Sequence, residues 1–237
     1  MKRFLLFVLS LAALVGPAAA APRPVLVEFF TAQGCASCAQ AEALAGPMAD
    51  RPGIILLTWS VDYWDYLGWK DTFARPEFTQ RQRAYDRRFG QRNVHTPQLI
   101  VDGRDQIGGD KAEEVEALIA RAAEVQRTAP SLKRTAQGGL TVGRGRAPGR
   151  NAEVWLIRYD PKAQSVDVKA GDNRGAAVVQ RNVVRQLVRL GVWNGRARSF
   201  VLPAATDDSL MSLVLVQGAR GGPILAARVL KLAKPIA

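Results

Sequence analysis

Two cysteines, Cys35 and Cys38, stand three positions apart where an apolar run gives way to a helical pattern. No other feature constrains this chain as much. A bridge between them closes a very small loop, so cross-linking removes little chain entropy and stability alone is a poor reason for the pair. Pro24 to Phe30, carrying Val25, Leu26, Val27, Phe29 and Phe30, reads as a buried strand. Thr31-Ala32-Gln33-Gly34 reads as a turn, and Cys35 to Ala49 as a helix with Ala41, Leu44, Ala45 and Met48 on one face. A helix N-terminus presents unpaired N–H groups and partial positive charge, which stabilise a thiolate. Cys35 is then the attacking sulfur, and Cys38, one turn deeper, is placed to resolve a mixed disulfide.

The N-terminus bears on where such a pair would work. Lys2 and Arg3 precede an apolar run from Phe4 to Val15, and Ala18-Ala19-Ala20 offers a small-residue cleavage site before Ala21. This is the pattern of a secretory signal peptide. A periplasmic or secreted location is expected, with no transmembrane segment in the mature chain. In an oxidising compartment, two cysteines so close together read as a working pair rather than a structural framework. The net charge of +12 raises the question of nucleic acid. The basic residues are scattered, however, and runs such as Arg81 to Arg92 and Arg144 to Arg150 fit solvated faces or loops, so no nucleic-acid partner is expected.

Along the chain, Gly53 to Ser60 reads as a second strand, Pro76 to Phe89 as a helix with proline at its start, and Gln98 to Asp102 as a third strand. Asp102-Gly103 signals a hairpin into a short return strand, Asp105 to Gly108. A last helix runs from Asp110 to about Gln126, with Val115, Leu118, Ile119, Ala122 and Val125 on one face. The first strands are expected to be parallel through right-handed crossovers, and the last pair antiparallel. After Pro130 glycine and arginine become frequent and short β-branched runs appear: Leu140–Val142, Glu153–Tyr159, Ser165–Lys169, Ala176–Val184, Ser199–Leu202, Leu210–Gln217 and Ile224–Leu232. The organisation read from this is a signal peptide at 1–20, an α/β (α+β) domain with a central mixed sheet at 21–129, and a β-rich, sandwich-like domain at 130–237.

Three features together carry a resemblance over residues 24–127. They are the element order, Cys35-Ala36-Ser37-Cys38 at the strand–helix junction, and Thr96-Pro97 before the third strand. In these the chain resembles the thioredoxin superfamily. The resemblance implies that Pro97 is cis, faces the cysteine pair and, with Thr96, shapes a groove for an extended substrate. It also implies for Glu28, on the first strand, the role of a buried acid that handles the resolving cysteine's proton. A second set of segments spans nearly all of the mature chain: Phe29 to Cys38, Val61 to Asp71, Thr96-Pro97-Gln98, and Arg181-Asn182-Val183-Val184-Arg185. On these the chain is identified as a member of the domain-of-unknown-function 1223 family of secreted bacterial proteins. That family implies a thioredoxin-like fold with a β-rich C-terminal part and supplies no substrate.

Other residues admit plain and functional readings side by side. Trp59, Tyr63, Trp64, Tyr66 and Trp69 fit core packing, or, for Trp64 and Trp69, the rim of a substrate groove. Asp62, Asp65 and Asp71 fit turn and helix capping. His95, the only histidine, fits a loop-shaping residue, a substrate-side proton relay, or a third ligand beside two cysteines. Asp172-Asn173-Arg174 fits a loop or a docking turn. Three functions therefore stand: a thiol–disulfide oxidoreductase, a copper-binding protein using Cys35, Cys38 and His95, and a non-catalytic binding module. The first leads, with exported protein or peptide thiols and disulfides as substrates, an electron-transfer partner the sequence does not identify, and no cofactor. Ala36-Ser37 between the cysteines does not fix the direction of exchange.

Overall fold

The computed structural model describes residues 23–125, 128–149, 151–205 and 207–230. The expected signal peptide and its cleavage site lie outside the described residues.

The chain is a mixed α/β protein built on one large mixed sheet. Strand β1 (Val25–Thr31) leads to α1 (Cys38–Ala45), a 3₁₀ turn at Gly46–Asp50, and β2 (Ile54–Ser60), which lies parallel to β1. Helix α2 (Pro76–Phe89) follows, with Pro76 in its first turn and Gly90 at φ 69° closing it. Strands β3 (Gln98–Val101) and β4 (Asp105–Gly108) form an antiparallel hairpin, and β3 runs antiparallel to β1. Asp102 and Gly103 turn that hairpin with φ of 51° and 62°, the left-handed pair that matches strand twist. Helix α3 (Ala112–Glu124) comes next.

The later strands are β5 (Leu132–Arg134), β6 (Leu140–Val142), β7 (Ala152–Asp160), β8 (Gln164–Asp167), β9 (Ala177–Gln180), β10 (Val183–Trp193), β11 (Arg198–Phe200), β12 (Met211–Gly218) and β13 (Ile224–Leu230). Four of them continue the first sheet, giving the order β13-β12-β7-β10-β2-β1-β3-β4. The remainder form a three-stranded sheet, β11-β6-β5, and a hairpin, β8-β9. Hydrogen-bonded pairing thus runs without a break across residue 130, where composition changes.

The join has a specific cause. The apolar stretch 176–184 is interrupted at Asn182, which sits at φ 51° and separates β9 from β10. Its side-chain amide donates to the Leu56 carbonyl at 3.0 Å, its own carbonyl accepts from the Thr58 N–H at 3.1 Å, and Thr58 Oγ1 donates to the Arg181 carbonyl at 2.6 Å. These bonds seat Val183 beside Thr58 and start β10 parallel to β2. Asparagine tolerates the left-handed region and can bond locally, which is why it fills this position.

Strand alternation then divides the core. Leu26, Phe30, Leu57, Trp59, Ile157, Leu213 and Leu215 share one cluster with Phe78 and Tyr85 of α2, so this apolar layer spans both halves of the sheet. Val25, Val27, Phe29 and Leu99 pack with α1 and α3. Val154, Leu156, Val214 and Val216 pack with Leu140, Val142 and Phe200 of the three-stranded sheet.

Candidate functional site

Strand β1 delivers its C-terminal end to a tight turn, in which the Cys35 N–H donates to the Ala32 carbonyl and the Cys38 N–H to the Cys35 carbonyl, both at 3.1 Å. The helix expected to open at Cys35 opens at Cys38, because residues 35–37 belong to this turn. Cys35 and Cys38 form a disulfide with a Cα separation of 5.4 Å. Cys35 is 0% and Cys38 1% exposed, whereas Ala36 and Ser37 are exposed.

The Thr96–Pro97 peptide is cis, and Pro97 is buried at the start of β3. Thr96 Oγ1 donates to Cys35 Sγ at 3.2 Å, and Trp64 Nε1 donates to Thr96 Oγ1 at 2.8 Å. Trp64 therefore reaches the sulfur through one hydroxyl. Trp69 takes a different position: its Nε1 donates to Gln33 Oε1 at 2.9 Å. Trp59 is wholly buried in the core, and Tyr66 is exposed.

A buried polar shell holds the loop before the cysteines. The Gln33 N–H donates to Asp71 Oδ2 at 2.7 Å, while Asp71 Oδ1 accepts the Phe73 and Ala74 N–H groups at 2.9 and 3.1 Å. Asp65 Oδ1 accepts the Asp71 N–H, and Asp62 Oδ1 accepts the Thr79 hydroxyl. These acids organise the turns around them. From the C-terminal half, Asn173 Nδ2 donates to the carbonyls of Gln33 and Cys35, at 2.8 and 2.9 Å.

Two carboxylates near this region have opposite characters. Glu28, in mid-β1, is 1% exposed and fully engaged. Arg81 Nε and Nη2 donate to its two oxygens at 2.6 and 2.9 Å, and the Tyr85 hydroxyl adds a third bond. Burial acts to lower the Arg81 pKa, but the facing Glu28 carboxylate overrides it and holds the guanidinium charged. Burial raises the Tyr85 pKa well above its usual value. Glu42 lies one turn after Cys38 on α1. Its Oε1 accepts from Thr31 Oγ1 at 2.8 Å and from Gln180 Nε2 of β9 at 3.0 Å. Burial pushes its pKa up to about 7; the Thr31 and Gln180 bonds oppose the rise and the nearby Asp71 charge adds to it. Glu42 also lines a groove of about 610 Å³ between α1 and β9.

His95 is exposed. Its carbonyl accepts from Gln82 Nε2 at 2.8 Å, and its ring lies close enough to Asp86 to lower that acid's pKa, although burial leaves Asp86 raised overall. Among the described residues, no group of three or more His, Cys, Asp or Glu is arranged to hold a metal ion. The structure thus gathers Cys35, Cys38, Thr96, Pro97 and Trp64 at one place, with Trp69 behind the loop through Gln33. It commits Glu28 to the Arg81 pair. Glu42 was missed by sequence reading although its i, i+4 spacing from Cys38 was visible. Asn173 stood in a polar turn that the sequence leaves as a loop or a docking turn, and Gln180 carried no local signal.

The sequence matches the family described as "Protein of unknown function (DUF1223)" over residues 26–217. No curated protein matches it. Among solved structures, the crystal structure of protein AGR_C_4864 from Agrobacterium tumefaciens is 31% identical, with a TM-score of 0.72 over 91% of this chain and 100% of that one. HBP35 of Porphyromonas gingivalis is 16% identical, with a TM-score of 0.58 over 91% of this chain and 78% of that one, a likeness of fold alone.

Proposed function

The chain belongs to the DUF1223 family, and from that premise we propose that it is an exported thiol–disulfide oxidoreductase working through Cys35 and Cys38. The observation that carries this reading is the hydrogen bond from Thr96 Oγ1 to Cys35 Sγ at 3.2 Å, beside a cis proline and at the entry to a helix. A donor aimed at one sulfur stabilises the thiolate form of that sulfur. The β2-β1-β3-β4 order with α1 and α3 on one face and α2 on the other is read here as a thioredoxin-like core. The packing of β5, β6 and β11 on β7 and β12 is read as a small sandwich appended to it. Periplasmic or secreted placement rests on the pattern of residues 1–20.

In the reducing direction, the Cys35 thiolate attacks one sulfur of a substrate disulfide. A Cys35–substrate bond forms and the other substrate sulfur leaves as a thiolate. Cys38 then loses its proton and attacks Cys35 Sγ. The mixed disulfide breaks, the second substrate thiol is released, and the Cys35–Cys38 disulfide carries the two electrons' worth of oxidation. Glu42, with a pKa near 7 and one turn from Cys38, suits the acceptor of that proton better than Glu28, whose oxygens are bound by Arg81 and Tyr85. The oxidising direction is the same sequence reversed.

The burial of both sulfurs favours a second reading, in which the pair is a structural clip in a binding module. One measurement separates the two: the potential of the Cys35–Cys38 couple in the purified mature protein, by thiol trapping in glutathione and dithiothreitol buffers. A reversible two-electron couple above about −300 mV is expected of a working site. A bridge that resists exchange, or a potential below that value, overturns the enzyme reading.

A further inference from the structure

A second feature lies away from the cysteines, where the three-stranded sheet meets the large one. Arg158 stands two residues before the end of β7, on the same strand face as Val154 and Leu156, and is 3% exposed. Elsewhere the fold meets a buried guanidinium with a carboxylate: Glu28 faces Arg81. Among the described residues, no carboxylate pairs with Arg158. Its two terminal nitrogens donate to neutral oxygens, Oε1 of Gln186 and the carbonyl of Pro203, the latter at 2.5 Å. Its Nε is buried with no partner. Burial lowers its pKa with nothing raising it again, the mark of an uncompensated cation.

Arg158 lines a cavity of about 170 Å³. The other walls include Leu156, Leu202, Ala205, Ser212, Leu230 and Arg134, with no acidic residue among the described lining. A buried charge left without a counter-charge is costly, and an entering anion would relieve that cost. The walls are mixed, leucine and alanine standing beside arginine, serine and backbone, and their apolar part is what selects among anions. A phosphate would have to surrender its hydration on every side, whereas a short aliphatic carboxylate turns one end to the guanidinium and the rest to leucine and alanine.

We propose that this cavity is a binding site for a short aliphatic carboxylate, held by the Arg158 guanidinium with its chain against Leu156, Leu202 and Leu230. The site is independent of the cysteine chemistry, so it stands or falls separately from the oxidoreductase reading.

The test uses the full mature chain and sodium butyrate, with sodium chloride and sodium phosphate at matched ionic strength. Melting temperature and amide chemical shifts are followed through the titration. Butyrate is expected to raise the melting temperature saturably and to shift the amides of β7 and of Leu202, Ala204 and Ala205. Arg158→Met is expected to abolish the response. Ala205→Leu, which fills the cavity and keeps the charge, is expected to weaken it about tenfold or more; it decides the matter if Arg158→Met does not fold. The proposal is overturned by a flat butyrate titration, by a response undiminished in Ala205→Leu or in a folded Arg158→Met, or by phosphate binding as tightly as butyrate.

Discussion

Asn173 reaches across 138 residues of chain to donate its side-chain amide to the carbonyl oxygen of Cys35 at 2.9 Å. The same NH₂ group bonds the Gln33 carbonyl, so one residue of the C-terminal half clamps the loop before the disulfide at two points. Gly171, at φ 76°, brings that turn in close: a Cβ there would lie 3.8 Å from the Gly34 Cα. The redox candidate is therefore built from both halves of the chain.

Replacing Asn173 with alanine removes both bonds and leaves two carbonyls to water. A loss of about 1–3 kcal/mol in unfolding free energy is expected, measured by urea denaturation of the oxidised protein. Reduction of the bridge by dithiothreitol is expected to accelerate, because the loop opens more readily. Unchanged reduction kinetics in a folded Asn173→Ala protein would show that the clamp does not control access.

Glu42 gives a pH signature with a definite sign. Its folded pKa of about 7 lies above the usual 4.5, so the folded state holds this proton more tightly than the unfolded chain. The stabilisation is fully present below pH about 4.5 and is lost as pH rises through about 7, amounting to roughly 3 kcal/mol. Glu42→Gln keeps the shape and removes the titration. The difference in stability between wild type and Glu42→Gln, followed from pH 4 to 8, is expected to carry this slope; a flat difference means the carboxyl is not held protonated.

Glu28 and Arg81 answer a different question. Glu28→Gln leaves a buried guanidinium without its counter-charge and is expected to cost about 3–5 kcal/mol. If Glu42 rather than Glu28 takes the Cys38 proton, the pH dependence of the Cys35–Cys38 potential changes in Glu42→Gln and stays as in wild type in Glu28→Gln. The reverse pattern returns the role to Glu28.

Asn182 tests the join between β2 and β10. Alanine there loses the bond to the Leu56 carbonyl and must hold φ near 51° without a local polar contact. A cost of about 2–4 kcal/mol is expected, with hydrogen exchange accelerating first at the Thr58 and Val183 amides. Protection unchanged at both amides would mean that the strands hold together without it.

What the sequence by itself determined is local. Alternating and continuous apolar runs placed β1, β2, β7 and β12 within a residue or two, and Pro76 as a helix start placed α2 at Pro76–Phe89. Turn chemistry marked Asp102-Gly103, and residue spacing marked the cysteine pair. Each depends on neighbours in the chain, whose steric and hydrogen-bonding preferences act over a few residues. Tertiary structure alone decided that β10 lies beside β2, that Asn173 and Gln180 close on the cysteine loop and on Glu42, and that Glu28 belongs to Arg81. Those contacts join residues 50 to 140 positions apart, and pairing at that range has no period for a sequence to display. The Arg181-Asn182 segment stood out in the sequence, but its work as the splice between two halves of one sheet became visible only when the strands were assembled, because a left-handed asparagine looks the same in any turn until the carbonyl it bonds is known.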